Sequence, residues 1–251
     1  MSQAMQAPSE ARTLLALALG LTAAAANVLG GLFIVRRDWS RQFLKYFLAL
    51  GAGFMLAAAF LEIIPESIRL AGDPALLLVL GGYFLVHFFE HTLAPHFHFG
   101  EETHVSEMTP QHASISALLG LIIHTFFDGV AIASGFLVST WLGGVIFLAV
   151  FLHKLPEGFT VASLMLASGQ SRRVALLASV MLGAATVVGV LLMNVLRAEV
   201  GYALPLSGGV TVYVAASDLM PEVNREPGVR MAIVVFLGVA LMLALRYLFP
   251  F

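Results

Sequence analysis

Long apolar runs, separated by short polar or charged breaks, organise this chain from end to end. They fall at 13–35, 43–68, 75–95, 113–138, 141–167, 173–196, 204–222 and 229–248. A helix needs about 20 apolar residues to cross the hydrocarbon of a bilayer, so each run is long enough to do so. The pattern predicts an all-α membrane protein of eight transmembrane helices. The breaks are Arg36-Arg37-Asp38, Gly72-Asp73-Pro74, the polar stretch 96–112, Ser139-Thr140, Gln170 to Arg173, Arg197 to Gly201, and Asn224 to Gly228. Trp39, Tyr46, Trp141, Tyr202 and Tyr247 fall near the span ends, where interfacial aromatics collect. A polar tail, 1–12, precedes a single eight-helix domain over 13–251. The first run is too long for a signal-peptide core and reads as a retained span.

The positive charges orient the bundle. Odd-numbered loops carry Arg36, Arg37, Arg41, Lys45, Arg172, Arg173, Arg225 and Arg230, against Arg12, Arg69, Arg197 and Arg246 elsewhere. Loops rich in Lys and Arg stay in the cytoplasm, which places both termini on the extracytoplasmic side. The loop 96–112, with His96, His98 and His104, then faces the cytoplasm.

Composition agrees and removes several classes. The chain is 59% hydrophobic and 11% charged, with mean hydropathy +0.93. A soluble domain of this size has no core able to hide that much apolar surface. The expected location is a cell membrane, inner or plasma, crossed many times. A net charge of −2 excludes a broadly basic nucleic-acid surface. Without cysteine, any metal must be held by nitrogen and oxygen.

The candidate chemistry lies in the middle of the chain. Span four contains His124-Thr-Phe-Phe-Asp128-Gly129, and span five contains His153-Lys-Leu-Pro-Glu157-Gly158. Each motif sets an imidazole and a carboxylate at i and i+4, on one helix face. The echo runs on, Gly-Val-Ala-Ile-Ala-Ser answering Gly-Phe-Thr-Val-Ala-Ser. Antiparallel helices joined by a short turn bring the two motifs together near the bilayer midplane. Ionisable groups at that depth cost at least ~2.5 kcal/mol each and call for a compensating cation, protons or water. Two imidazoles and two carboxylates suit Zn²⁺ and also Fe²⁺, Mn²⁺ or Cd²⁺. Pro156 leaves the Leu152 carbonyl without its usual helix donor, and Gly129 and Gly158 permit close helix contact. The alternative role is a polar cluster that merely locks two helices together.

These motifs resemble those of the ZIP (Zrt/Irt-like) family of divalent metal transporters. The resemblance extends to the eight-span plan, to Gly53 through Glu66 in span two and to Tyr213 through Glu222 in span seven. It implies uptake of a metal ion toward the cytoplasm, homodimers, and a transport unit of spans one, four, five and six moving against spans two, three, seven and eight. The implied site is His124, Asp128, His153 and Glu157, with Met55 a further contact. The ion is substrate, and no cofactor is expected. Family members with two adjacent ions carry Asn after the span-four histidine, an acid or amide after the span-five histidine, and often a carboxylate in span six. Here those places hold Thr125, Lys154 and the stretch around Thr186. Lys154 thus stands where a second cation would sit, and one ion is expected.

Further polar groups lie toward the membrane faces. Glu62-x-x-Pro65-Glu66 ends span two and Asp218-x-x-Pro221-Glu222 ends span seven, mirrored as in an inverted repeat. They are candidate entrance and exit ligands, or ordinary helix-end chemistry. His87, Glu90 and His91 share one face of span three and, with the loop histidines, are candidate cytoplasmic contacts for released metal. Two other functions compete with metal transport: an intramembrane zinc hydrolase, and a proton-coupled carrier of a nonmetal solute. The chain lacks the His-Glu-x-x-His run common in zinc proteases, and lacks the P-loop of direct ATP drive.

Overall fold

The computed structural model describes residues 10–36, 41–93, 111–226 and 228–248. Apart from short turns these are helical, with no strand among them, and eight helical spans are long and apolar enough to cross a membrane. Span one is α1 (Glu10–Arg36). Span two joins α2 (Arg41–Ala58), a π-helical segment (Ala59–Ile63) and α3 (Ile64–Ala71). Spans three to six are α4 (Pro74–Leu93), α5 (Gln111–Val138), α6 (Thr140–Ala167) and α7 (Arg172–Val195). Span seven runs through α8 (Val200–Tyr213), a second π-helical segment (Val214–Leu219) and α9 (Met220–Asn224). Span eight is α10 (Val229–Leu248).

The links are short and capped. Ser139 alone separates α5 from α6, its hydroxyl accepting the Leu142 N–H at 3.0 Å. Gly72 closes α3 at φ 67°, a left-handed conformation that suits glycine. The expected break from Arg197 to Gly201 is instead a 3₁₀ turn (Arg197–Glu199) that runs directly into α8. The polar tail likewise turns helical earlier than expected, at Glu10.

Four helix pairs are locked at glycines, one from each partner. Where α1 crosses α6, a Cβ on Gly30 would overlap the Leu155 carbonyl, and one on Gly158 that of Asn27. At α5 and α7 the same holds for Gly129 against Thr186 and Gly189 against Phe126. At α2 and α10 it is Gly53 against Val235 and Gly238 against Leu50. At α4 and α8 it is Gly82 against Leu206 and Gly209 against Val79. Such approaches are the usual means of packing helices in lipid, where no hydrophobic drive pushes them together.

These locks reveal the architecture. The pairing is unchanged when spans one, two and three are exchanged with six, seven and eight, and span four with five. The exchange is in register: Glu62 lies nine residues after Gly53, and Asp218 nine after Gly209. Arg246 lies eight residues after Gly238, and Glu90 eight after Gly82. The locks also sort the spans into two groups. Those of spans one, four, five and six stay among themselves, as do those of spans two, three, seven and eight. Between the groups the glycine contacts are ordinary, as where Gly51 meets Leu152 at 3.7 Å. α5 and α6 are the most enclosed spans, while α4 and α10 turn Leu77, Phe84, Phe88 and Phe236 outward to lipid.

Candidate metal site

The single-residue link at Ser139 folds α5 back along α6 and brings both motifs to the same depth. His124, Asp128, His153 and Glu157 converge there, each no more than 2% exposed. One candidate ligand atom from each lies within 4.8 Å of the others. Asp128 Oδ2 is 3.1 Å from His124 Nε2 and 3.3 Å from His153 Nε2, and the two nitrogens are 3.5 Å apart. Ligand atoms around a tetrahedral Zn²⁺ with bonds near 2.0 Å stand about 3.3 Å from each other. The three sides therefore have the size of one face of that tetrahedron. His153 Nδ1 lies 3.0 Å from the Ala149 carbonyl, so that nitrogen is the donor and Nε2 is the ring atom that faces the cluster.

Lys154 does more than neighbour Glu157. Its ammonium lies 2.6 Å from Asp128 Oδ2 and 2.5 Å from Glu157 Oε2, bridging the carboxylates of both helices. It also reaches Thr125 Oγ1 at 3.3 Å, and the Thr125 hydroxyl donates to the other oxygen of Glu157. The residue after each histidine thus fastens Glu157. Thr186, the span-six position, is buried and turns its hydroxyl to the Leu182 carbonyl of its own helix at 3.4 Å. Met55 is fully buried in the apolar core shared with Leu121, Ala149 and Leu152, close in sequence to the two histidines.

Toward the helix ends several of the other candidates are already engaged. Glu66 pairs with Arg69 on its own helix. Glu62 accepts a hydrogen bond from Trp141 Nε1 at 3.3 Å and faces Arg246 at 3.5 Å. Trp141 and Arg246 read in the sequence as ordinary interfacial residues, and only the fold brings them to Glu62. At the opposite end Tyr213 donates to Glu90 at 2.8 Å, Tyr83 bonds Ser217 at 2.9 Å, and the His87 and His91 rings lie 4.0 Å apart. Asp218 is 2% exposed with Oδ1 lacking a hydrogen-bond partner, within electrostatic reach of Glu90. Both candidate motifs sit on π-helical turns, where Ile64 and Met220 donate five residues back, to Ala59 and Ala215. Such turns recur at functional sites. The side chain of Glu222, and His96, His98 and His104, lie outside the described residues.

The family model for ZIP zinc transporters matches residues 11–117 and 100–246. The chain belongs to the ZIP zinc transporter family. Zinc transporter ZIP9-B of Xenopus laevis is 24% identical over 246 residues, 77% of this chain and 80% of that protein. Zinc transporter zipt-7.1 of Caenorhabditis briggsae is 26% identical over 266 residues, 81% of this chain and 67% of its own. The zinc transporter ZIP13 homolog of Drosophila melanogaster is 26% identical over 163 residues, spanning 59% of this chain but only 46% of the relative. ZIP proteins are multi-pass membrane transporters of metal ions, which sets aside the hydrolase alternative.

Proposed function

We propose that this protein carries a divalent transition metal, zinc foremost, toward the cytoplasm through one ion site at the bilayer midplane. His124, Asp128, His153 and Glu157 hold the ion, with Met55 a further contact. The observation that carries this reading is the triangle of His124 Nε2, His153 Nε2 and Asp128 Oδ2, with sides of 3.1, 3.3 and 3.5 Å. Hydrogen-bonded groups reach such spacings as well, so the weight falls on the donor set: two imidazoles and two carboxylates, all buried, converge within ligand reach of one another. The names of the relatives favour zinc, although the same donors accept Fe²⁺, Mn²⁺ or Cd²⁺.

A single ion follows from charge. Lys154 already supplies one positive charge between Asp128 and Glu157, so one divalent ion takes the cluster from a net −1 to +1 and a second meets net repulsion. Movement is of the elevator type: spans one, four, five and six shift as a body against spans two, three, seven and eight. The confinement of the glycine locks to those two groups supports it. The arginine count puts the termini outside, Glu62 and Glu66 at the entrance, and Asp218 and Glu222 at the exit. His87, Glu90, His91 and the loop histidines receive the ion beyond it, and the protein works as a homodimer. Zinc uptake into proteoliposomes tests the reading. Uptake that survives the combined His124→Ala and Glu157→Ala exchange defeats it, and uptake of a nonmetal solute instead favours the other carrier.

A further inference from the structure

Glu62 faces partners on both helix groups. Its Oε2 accepts from Trp141 Nε1 at 3.3 Å, and Trp141 sits in the first turn of α6, in the group that carries the ion cluster. Its Oε1 lies 3.5 Å from Arg246 Nε on α10, in the other group. Arg246 also donates from Nη1 to the Leu61 carbonyl at 3.1 Å. That carbonyl lies four residues before Pro65, which has no N–H to offer it. Arg246 therefore holds both the carboxylate and the backbone of the π-helical turn. Glu62 is fixed on its own group, and the bond to Trp141 is the member of this set that crosses between groups.

The neighbourhood favours a closed contact. Ile63 and Leu204 of one group pack with Leu142 and Ile146 of the other in a single buried apolar cluster. The Trp141–Glu62 bond lies part-buried beside that cluster. The inverted repeat then supplies a comparison within the molecule. The counterpart of Glu62 is Asp218, and the counterpart of Arg246 is Glu90. One end of the bundle thus sets an acid against an arginine, and the other sets an acid against an acid.

We propose that Glu62, Trp141 and Arg246 form a latch at the end of the bundle bearing the termini, which clamps the ion-carrying group to its surroundings until the Trp141–Glu62 bond breaks. The proposal rests on the transport reading above. The repeat position at the opposite end bears Glu90 in place of the arginine, so no equivalent latch forms there.

The chain has no cysteine, so a single reporter is clean. Ile146→Cys is buried in the latched state, and its labelling by a membrane-impermeant thiol reagent from the terminal face measures opening. Adding Trp141→Phe keeps the ring and removes the N–H, and labelling accelerates about fivefold, as expected for one such hydrogen bond. Glu62→Ala gives a similar acceleration, and a reading if the tryptophan variant does not reach the membrane. Combining the two adds nothing beyond Glu62→Ala alone. Unchanged labelling in Trp141→Phe, or additive acceleration in the pair, overturns the latch. Zinc uptake by the reporter protein is measured on the same membranes. Uptake with unchanged labelling defeats the latch alone, whereas a reporter and parent that both move no zinc defeat the transport reading.

Discussion

The Lys154 ammonium stands 2.6 Å from Asp128 Oδ2, across the interface between the two helices that carry the ion cluster. It is fully buried and simultaneously 2.5 Å from Glu157. Removing one partner from a buried, paired set of charges typically costs about 3–5 kcal/mol, because the remaining charges are left uncompensated. Lys154→Met should therefore unfold at a lower temperature than the parent when metal is absent. Zinc should recover more stability in the variant than in the parent, since it replaces the missing charge. Thermal unfolding in detergent with and without Zn²⁺ checks this, and metal analysis should give one midplane ion per parent chain. Two ions there would refute the single-site argument.

Thr125 offers a smaller and more local test. Its hydroxyl is donor to one oxygen of Glu157 and is itself reached by Lys154 at 3.3 Å. Thr125→Val keeps the volume and removes the hydroxyl, leaving Glu157 to Lys154 alone. A lost hydrogen bond to a charged group is worth about 1.5–3 kcal/mol, so the metal-free protein should lose stability of that order, and zinc affinity should fall because Glu157 is no longer held in place. Titration of zinc binding, with circular dichroism as the control for folding, reads it directly.

The eight spans and the His/acid pairs were legible in the sequence for two physical reasons. Lipid demands long apolar runs, and a ligand pair at i and i+4 shares a helix face whatever the tertiary structure. The grip of Lys154 on Asp128 was not legible, because it depends on how far α6 is rotated toward α5. Nor were the π-helical turns before Pro65 and Pro221, which need one extra residue accommodated by packing. Arg246 lies far along the chain from Glu62 and meets it only once α10 packs on α2. The break at Arg197 to Gly201 read as a loop because its charge and glycine mark a turn, but Val200 and Gly201 belong to α8.

Gly158 and Gly144, on the same helix, should respond oppositely to alanine. A Cβ on Gly158 would overlap the Asn27 backbone, which has no flexible end to move aside. Around Gly144 nothing lies within 4 Å. Overpacking costs about 1–3 kcal/mol or more where backbone must shift, while alanine in an open helical site gains up to about 1 kcal/mol over glycine. Gly158→Ala should lose thermal stability and zinc uptake, and Gly144→Ala should match or exceed the parent in stability. Equal behaviour of the two variants would show that the α1–α6 crossing is looser than the structure has it.

Gly51 and Leu152 allow the movement itself to be tested. They lie on opposite helix groups, and a Cβ built on Gly51 comes 3.7 Å from Leu152 Cβ. That separation falls within the range of disulfides, whose Cβ atoms stand about 3.5–4.5 Å apart. Gly51→Cys with Leu152→Cys, in a chain with no other cysteine, should cross-link on oxidation and pin the ion-carrying group to its neighbours. An elevator movement slides these two positions past each other in every cycle, so oxidation should abolish zinc uptake and dithiothreitol should restore it. The reduced double variant serves as its own control for any effect of replacing Leu152 beside His153. Full uptake by the cross-linked protein would mean that the ion crosses without relative displacement of the two groups, and the elevator model would fall while the ion site remained.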